Sequence, residues 1–221
     1  MKVPVKAPAK APVNKPVRAS LTKGPPRLTV ITQSVSGEAL VAIDLLNHKL
    51  DRAFDHIDAS GNGVVEREDL LGLGARILVG FGESPTSVTG ASLVGSFDGI
   101  WSTLARALER DGDSGIARTD FRTGMTAAFV TGEHYEPVFR PATVAVAELC
   151  DGDRDGKIGP GEFRTMLCAF GVAYDDVDEA FDRLDRAGRG TLTVDELVLA
   201  ASDFYRSDDP NATGNWLFGP L

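Results

Sequence analysis

Beyond residue 37 the chain is organised by apolar positions that recur every three or four residues. In EALVAIDLLNHKLDRAFDHI, residues 38–57, they fall at Leu40, Ile43, Leu46, Leu50, Phe54 and Ile57. A stripe with a period near 3.6 predicts a helix with one face in a core. The same pattern runs through REDLLGLGARILVGF (67–81), SLVGSFDGIWSTLARAL (92–108), TDFRTGMTAAFV (119–130) and PATVAVAELC (141–150). It continues through EFRTMLCAFG (162–171), YDDVDEAFDRL (174–184) and VDELVLAASDFYR (194–206). The expected fold class is therefore all-α, with about eight helices and little strand. Pro141 suits a first helical turn, and Gly171 reads as a helix stop. FGESPTSVTG, residues 81–90, predicts an added turn between two of the helices.

The polar segments between these helices carry the chemistry. DGDRDGKIGPGE, residues 151–162, places Asp151, Asp153 and Asp155 at positions one, three and five and Glu162 at twelve, with Gly156 at six. This is the spacing of the EF-hand calcium loop, D-x-[DN]-x-[DN]-G-x5-E. Calcium is hard and large, taking about 6–8 oxygens, and a short loop encloses it by turning alternate side chains inward. Lys157 would offer its backbone carbonyl, and Gly159 leaves room for a water. Glu162 would supply both carboxylate oxygens. Ile158 at position eight is apolar, as needed to bridge to a partner loop.

Three further loops share the frame. DASGNGVVERED, residues 58–69, offers Asp58, Ser60, Asn62, the Val64 carbonyl, Glu66 and Asp69. Asp69 is one methylene shorter than Glu, which weakens calcium and favours magnesium as a competitor, foremost in this loop. ERDGDSGIARTD, residues 109–120, offers Glu109, Asp111, Asp113, the Gly115 carbonyl and Asp120. Ser114 stands there in place of the glycine at six, an expected strain of about 1 kcal/mol if it is left-handed. DRAGRGTLTVDE, residues 185–196, keeps Asp185, Gly190, Leu192 and Glu196, but Ala187 has no oxygen and Arg189 brings positive charge. It is expected to bind no metal. The loops begin at 58, 109, 151 and 185, and should pair through Val65 with Ile116 and through Ile158 with Leu192.

Composition sharpens this picture at two places. Residues 1–37 hold seven basic residues and no acidic one and are rich in Pro, Ala and Lys, the signature of a disordered tail. The remaining 184 residues hold 32 acids against 16 bases, as a body built around cation sites requires. No apolar run is long enough to span a membrane. Cys150 and Cys168 read as small buried hydrophobes in a reducing compartment rather than a disulfide. His48, His56 and His134 are scattered, with no zinc spacing and no His-centred catalytic arrangement.

The last residues, SDDPNATGNWLFGPL, are punctuated by Gly and Pro and read as non-helical, with an apolar Trp216-Leu217-Phe218. Four hands of unequal quality with this closing segment resemble the sarcoplasmic calcium-binding protein and calerythrin group, including its actinobacterial members. The resemblance covers roughly residues 38–221. It implies a cytoplasmic calcium buffer or signal modulator, not an enzyme, with two or three working sites. The alternative is a sensor that opens an apolar groove for a partner protein. The expected organisation is a tail (1–37), a first pair of hands (38–132), a second pair (133–206) and a segment filling the cleft between them (207–221). Calcium ions are the expected ligand. No nucleic acid is expected, any protein partner is left unidentified, and the chain is expected to be a monomer.

Overall fold

The computed structural model describes residues 37–221, with side chains from Asp44 onward. The basic tail therefore lies outside the described residues, as do the side chains of Leu40 and Ile43. Eight α-helices follow in order: α1 (Gly37–Ile57), α2 (Arg67–Gly80), α3 (Val88–Ala107), α4 (Arg118–Met125), α5 (Arg140–Cys150), α6 (Pro160–Phe170), α7 (Tyr174–Leu184) and α8 (Val194–Arg206). Four two-residue strands sit in the loops: β1 (Val64–Val65), β2 (Ile116–Ala117), β3 (Lys157–Ile158) and β4 (Leu192–Thr193). β1 pairs antiparallel with β2, placing Val65 opposite Ile116. β3 pairs with β4, placing Ile158 opposite Leu192. These four apolar residues are essentially inaccessible. Each bridge thus ties two loops together through buried side chains as well as backbone bonds.

The helices bury the stripes read from the sequence, and the two loop pairs repeat one packing motif. Phe54, four residues before the first loop, meets Phe121 edge-on at 5.5 Å. Phe181, four residues before the fourth loop, meets Phe163 in the same way at 5.5 Å. Such edge-to-face pairs add to simple area burial. Contacts of α2 with α6, of α3 with α5, and of α1 and α5 with α8 join the hands into one continuous apolar core.

Several helix boundaries differ from the periodic reading. α3 begins at Val88, with the Ser87 hydroxyl accepting from Gly90 N at 2.9 Å. A Cβ on Gly90 would stand 2.0 Å from the Ser84 carbonyl, so the tight turn at 84–87 needs glycine there. The helix predicted over 119–130 stops as an α-helix at Met125 and widens into a π-turn, Thr126–Val130. A second π-turn, Tyr135–Phe139, leads into α5. Gly171 does end α6, with φ of 84°. The C-terminal segment, expected to lack helix, forms one 3-10 turn, Thr213–Trp216.

That segment is held against the helices by named contacts. Leu217 and Phe218 are buried. Phe218 packs on Phe204 at 4.9 Å and on His56 at 4.7 Å. Arg52 donates to the Phe218 carbonyl at 2.9 Å. Gly214 is pressed onto α8, where a Cβ would lie 2.2 Å from the Ala200 carbonyl. Nearby, Lys49 of α1 is fully buried. Its Nζ donates to the carbonyls of Ser207 at 2.8 Å and Asp203 at 3.3 Å. A cation at the end of α8 suits the carbonyl end of a helix, and here it shares the Asp203 carbonyl with the Ser207 N–H. Burial still lowers the Lys49 pKa, against the opposing pull of Asp203, Asp208 and Asp209. Burial, with Arg52 and Arg76 adding to it, likewise lowers the His56 pKa to about 4.

The cysteines divide. Cys150 is buried, and burial, reinforced by Glu162, pushes its thiol far above the usual range. Cys168 is exposed, which corrects the expectation that both are buried. It sits one step past Met166 and Leu167, on the outer face of α6. In a native thiol titration with a chromogenic disulfide, Cys168 should react at once and Cys150 only after unfolding. Two fast thiols would contradict the packing of Cys150.

Candidate metal centres

Each loop begins where a helix end delivers an acidic residue, and the backbone then decides what that residue can do. In loop 151–162, Arg154 and Gly156 take left-handed φ values of 61° and 80°. This kink turns backbone N–H groups inward. The Asp151 carboxylate accepts from Asp155 N and Gly156 N, each at 3.0 Å. Asp155 Oδ1 accepts from Lys157 N at 2.8 Å. Among the described residues, Asp151, Asp153 and Asp155 are the one acidic trio whose ligand atoms all lie within 4.8 Å of one another. Glu162 closes the loop: Oε2 accepts from Gly159 N at 2.8 Å and Oε1 from Gly152 N at 3.2 Å. The Lys157 ammonium stands 3.9 Å from Asp155 on the outer side. Like charges held this close favour a cation among them. The donor set is all oxygen, which suits calcium or magnesium and not a soft metal.

Loop 58–69 has the same backbone. Gly61 and Gly63 take φ of 69° and 81°. Asp58 accepts from Asn62 N at 3.1 Å, from Gly63 N at 2.8 Å and from the Ser60 hydroxyl at 3.2 Å. Burial works against the Asp58 charge, but these donors hold its carboxyl below the usual range. Asn62 Oδ1 accepts from Val64 N at 2.8 Å. Asp69 Oδ2 accepts from Glu66 N at 2.8 Å, the counterpart of the Glu162 to Gly159 bond. Neutral Ser60 and Asn62 take the places of Asp153 and Asp155, so this loop concentrates less charge.

Loop 185–196 keeps the frame but carries its own cation. Gly188 and Gly190 are left-handed at 62° and 73°. Asp185 accepts from Arg189 N at 3.1 Å and Gly190 N at 2.6 Å. The Arg189 guanidinium then crosses to Glu196, with one contact of 2.6 Å. Arg189, together with the Thr193 N–H, holds the Glu196 carboxyl below its usual range.

Loop 109–120 departs from the other three. The left-handed residue is Glu109, at φ of 53°, and neither Gly112 nor Ser114 has positive φ. This corrects the expectation of a strained, left-handed Ser114. No inward kink forms at positions four and six, and no three of Glu109, Asp111, Asp113 and Asp120 come together. Arg110 fills the gap: its guanidinium donates to the Gly115 carbonyl at 2.7 Å and to Asp120 at 2.5 Å. Those are the groups at positions seven and twelve that the loop would offer a metal. Ser114 donates to Asp111 instead. Trp101 Nε1 pins the loop through Gly112 O at 2.8 Å. A template of ligand types does not register Arg110. The arginine at position two followed by a non-glycine at six was the available sign.

Comparison with known proteins agrees with this architecture. No protein-family model matches the chain. Calerythrin of Saccharopolyspora erythraea is 30% identical over 163 residues, 73% of this chain and 92% of calerythrin. The solved structure of a Streptomyces coelicolor calcium-binding protein, described in terms of calcium-mediated regulation, superposes with a TM-score of 0.62. It is 29% identical and covers 74% of this chain and 99% of that one. The calcium-loaded apo coelenterazine-binding protein of Renilla muelleri has a TM-score of 0.59 and 20% identity, covering 85% of this chain and 100% of its own, a likeness of fold.

Proposed function

The chain belongs to the calerythrin family of EF-hand proteins, and on that premise we propose that it is a non-enzymatic calcium buffer or signal modulator. The observation that carries this reading is the Asp151, Asp153 and Asp155 trio in a kinked loop closed by Glu162. Calcium there would be held by these carboxylates and the Lys157 carbonyl. Loop 58–69 would hold a second ion through Asp58, Ser60, Asn62, the Val64 carbonyl, Glu66 and Asp69, with magnesium competing. In loops 109–120 and 185–196 the charge is answered by Arg110 and Arg189. The reading places two hand pairs at 38–132 and 133–206, closed by 207–221, in a cytoplasmic monomer. Among the described residues no helix is long and apolar enough to cross a membrane.

Buffering is favoured over sensing by the apolar surface. Sensor grooves lean on adaptable methionines, whereas Met125 and Met166 are buried here and Leu217 and Phe218 lie within the core. The sensor reading draws on one observation, that a relative 29% identical is described as mediating calcium-dependent regulation.

The test is a calcium titration of chelator-stripped protein in millimolar magnesium, followed by calorimetry and an apolar-surface dye. The buffer reading expects two ions bound and a falling dye signal. A rising signal would establish the sensor reading, and a third ion would overturn the role given to Arg110. Because loop 185–196 retains the kinked frame, Ala187→Asp with Arg189→Asn should add one calcium to the stoichiometry. Unchanged stoichiometry would mean that more than Arg189 and Ala187 keeps that loop from binding.

A further inference from the structure

An apolar cavity of about 90 Å³ lies at the centre of the described fold, with walls from all four hands and from the C-terminal segment. Beside it is a larger cavity of about 540 Å³, opening between α1, α2 and the α6–α7 turn. His56, Phe170 and Phe218 line both. Their rings touch pairwise, at 4.7 Å for His56 with Phe218, 5.0 Å for Phe170 with Phe218 and 5.9 Å for His56 with Phe170. Three rings thus stand between a wide vestibule of mixed polarity and the apolar chamber. The rest of the chamber is hydrocarbon and thioether, apart from Thr143 and the polar atoms of Trp101 and Tyr205.

An apolar hollow in a packed interior costs stability, and filling it with a matching molecule restores the lost contacts. A dry cavity of about 150 Å³ lined by similar residues holds benzene, so at about 90 Å³ this chamber takes one ring only as its lining repacks. Here Met125 and Met166 both line the chamber, and methionine repacks readily around a guest. One of the polar groups in the wall lacks a partner. His56 Nδ1 is buried and, among the described residues, has no hydrogen-bond partner. Buried polar atoms are nearly always satisfied.

We propose that this central chamber is a binding site for a small aromatic molecule of about one ring bearing a single hydrogen-bonding group, admitted past His56, Phe170 and Phe218. The ring fills the hydrocarbon volume and its polar group satisfies His56. This site uses none of the cation ligands, although Val65 of loop 58–69 is in its wall, so ring binding and ion stoichiometry are separate readouts.

Trp101 supplies the readout, because it lines the chamber and is only 2% exposed. The full chain in calcium, with Trp216→Phe to leave Trp101 as the sole indole, is titrated with 4-bromophenol, whose bromine quenches on contact. Saturable quenching with a midpoint below about 1 mM is expected. The chamber-filling variant Ala142→Leu should weaken it at least about tenfold. Bromobenzene should bind about fivefold more weakly than the phenol, and His56→Phe should erase that difference. Quenching that stays linear, or that is equal in the filled variant, overturns the site. Equal binding of the two probes overturns the role of His56. Should Ala142→Leu fail to fold, the melting temperature of the unmodified chain decides: the phenol must raise it, since a ligand specific for the native state stabilises that state, and no rise sinks the proposal.

Discussion

Asp151→Asn is expected to lower calcium affinity in loop 151–162 by about 100-fold, and to do so through geometry as much as charge. The native carboxylate uses both oxygens, Oδ1 for Asp155 N and Oδ2 for Gly156 N. An asparagine has one oxygen to accept with, and its amide would face an N–H donor across the other bond. The variant therefore loses a unit of negative charge at the ion and also the inward kink that aims the remaining ligands. Losing a hydrogen bond to a charged acceptor costs about 1.5–3 kcal/mol, and about 1.4 kcal/mol corresponds to each tenfold change. Competition against a chelator of known affinity measures the loss. Asp185→Asn disrupts the same pair of backbone bonds in the loop that Arg189 already neutralises. It should cost stability and leave calcium stoichiometry and affinity unchanged. If Asp151→Asn and Asp185→Asn had equal effects on calcium, the assignment of sites between these loops would be wrong.

The second large effect is on stability. Phe218→Ala should destabilise the fold by about 3–5 kcal/mol, the usual range for truncating a buried phenylalanine. The residue is 4% exposed and its ring meets His56, Phe170, Phe204 and Tyr205. No nearby chain can move in to fill the space, since Gly214 already fixes the segment against α8. For a chain of this size a loss of that order lowers the melting temperature by about 10 °C. Calorimetry with calcium held constant reads it. A shift under about 2 °C would show that the C-terminal segment is not part of the cooperative core.

The sequence was most legible where one residue type has one possible use. The bridges at Val65 with Ile116 and Ile158 with Leu192 follow from an apolar residue at position eight of each loop, since only a buried cross-strand pair accounts for it. Gly171 stopped α6 because its left-handed backbone suits glycine. The backbone of loop 109–120 was not legible at Ser114, because counting acids says nothing of backbone shape. Without glycine at position six the chain shifts the left-handed residue to Glu109, and Arg110 reaches the groups a metal would have used. Cys168 was misplaced because its residue type favours burial, while the phase of α6 turns it outward. The π-turns after α4 had no visible sign, since a widened turn keeps nearly the same apolar spacing as a regular one. The central chamber was equally hidden, being a property of how four hands meet and not of any stretch of chain.

Lys49 joins α1 to the carbonyls of Ser207 and Asp203, partners 158 and 154 residues further along. Arg52, one turn later, depends on Phe218, 166 residues away. A ribosome makes the chain in one direction, at about 5–20 residues per second. The first helix therefore emerges some 8–32 s before its partners exist, with an ammonium group that has no folded place to go. Until the segment that carries Ser207 and Phe218 has cleared the exit tunnel, the opening hands can form only an unfinished nucleus. Completion of this fold therefore waits on residues 203–218, however early the first helix is made.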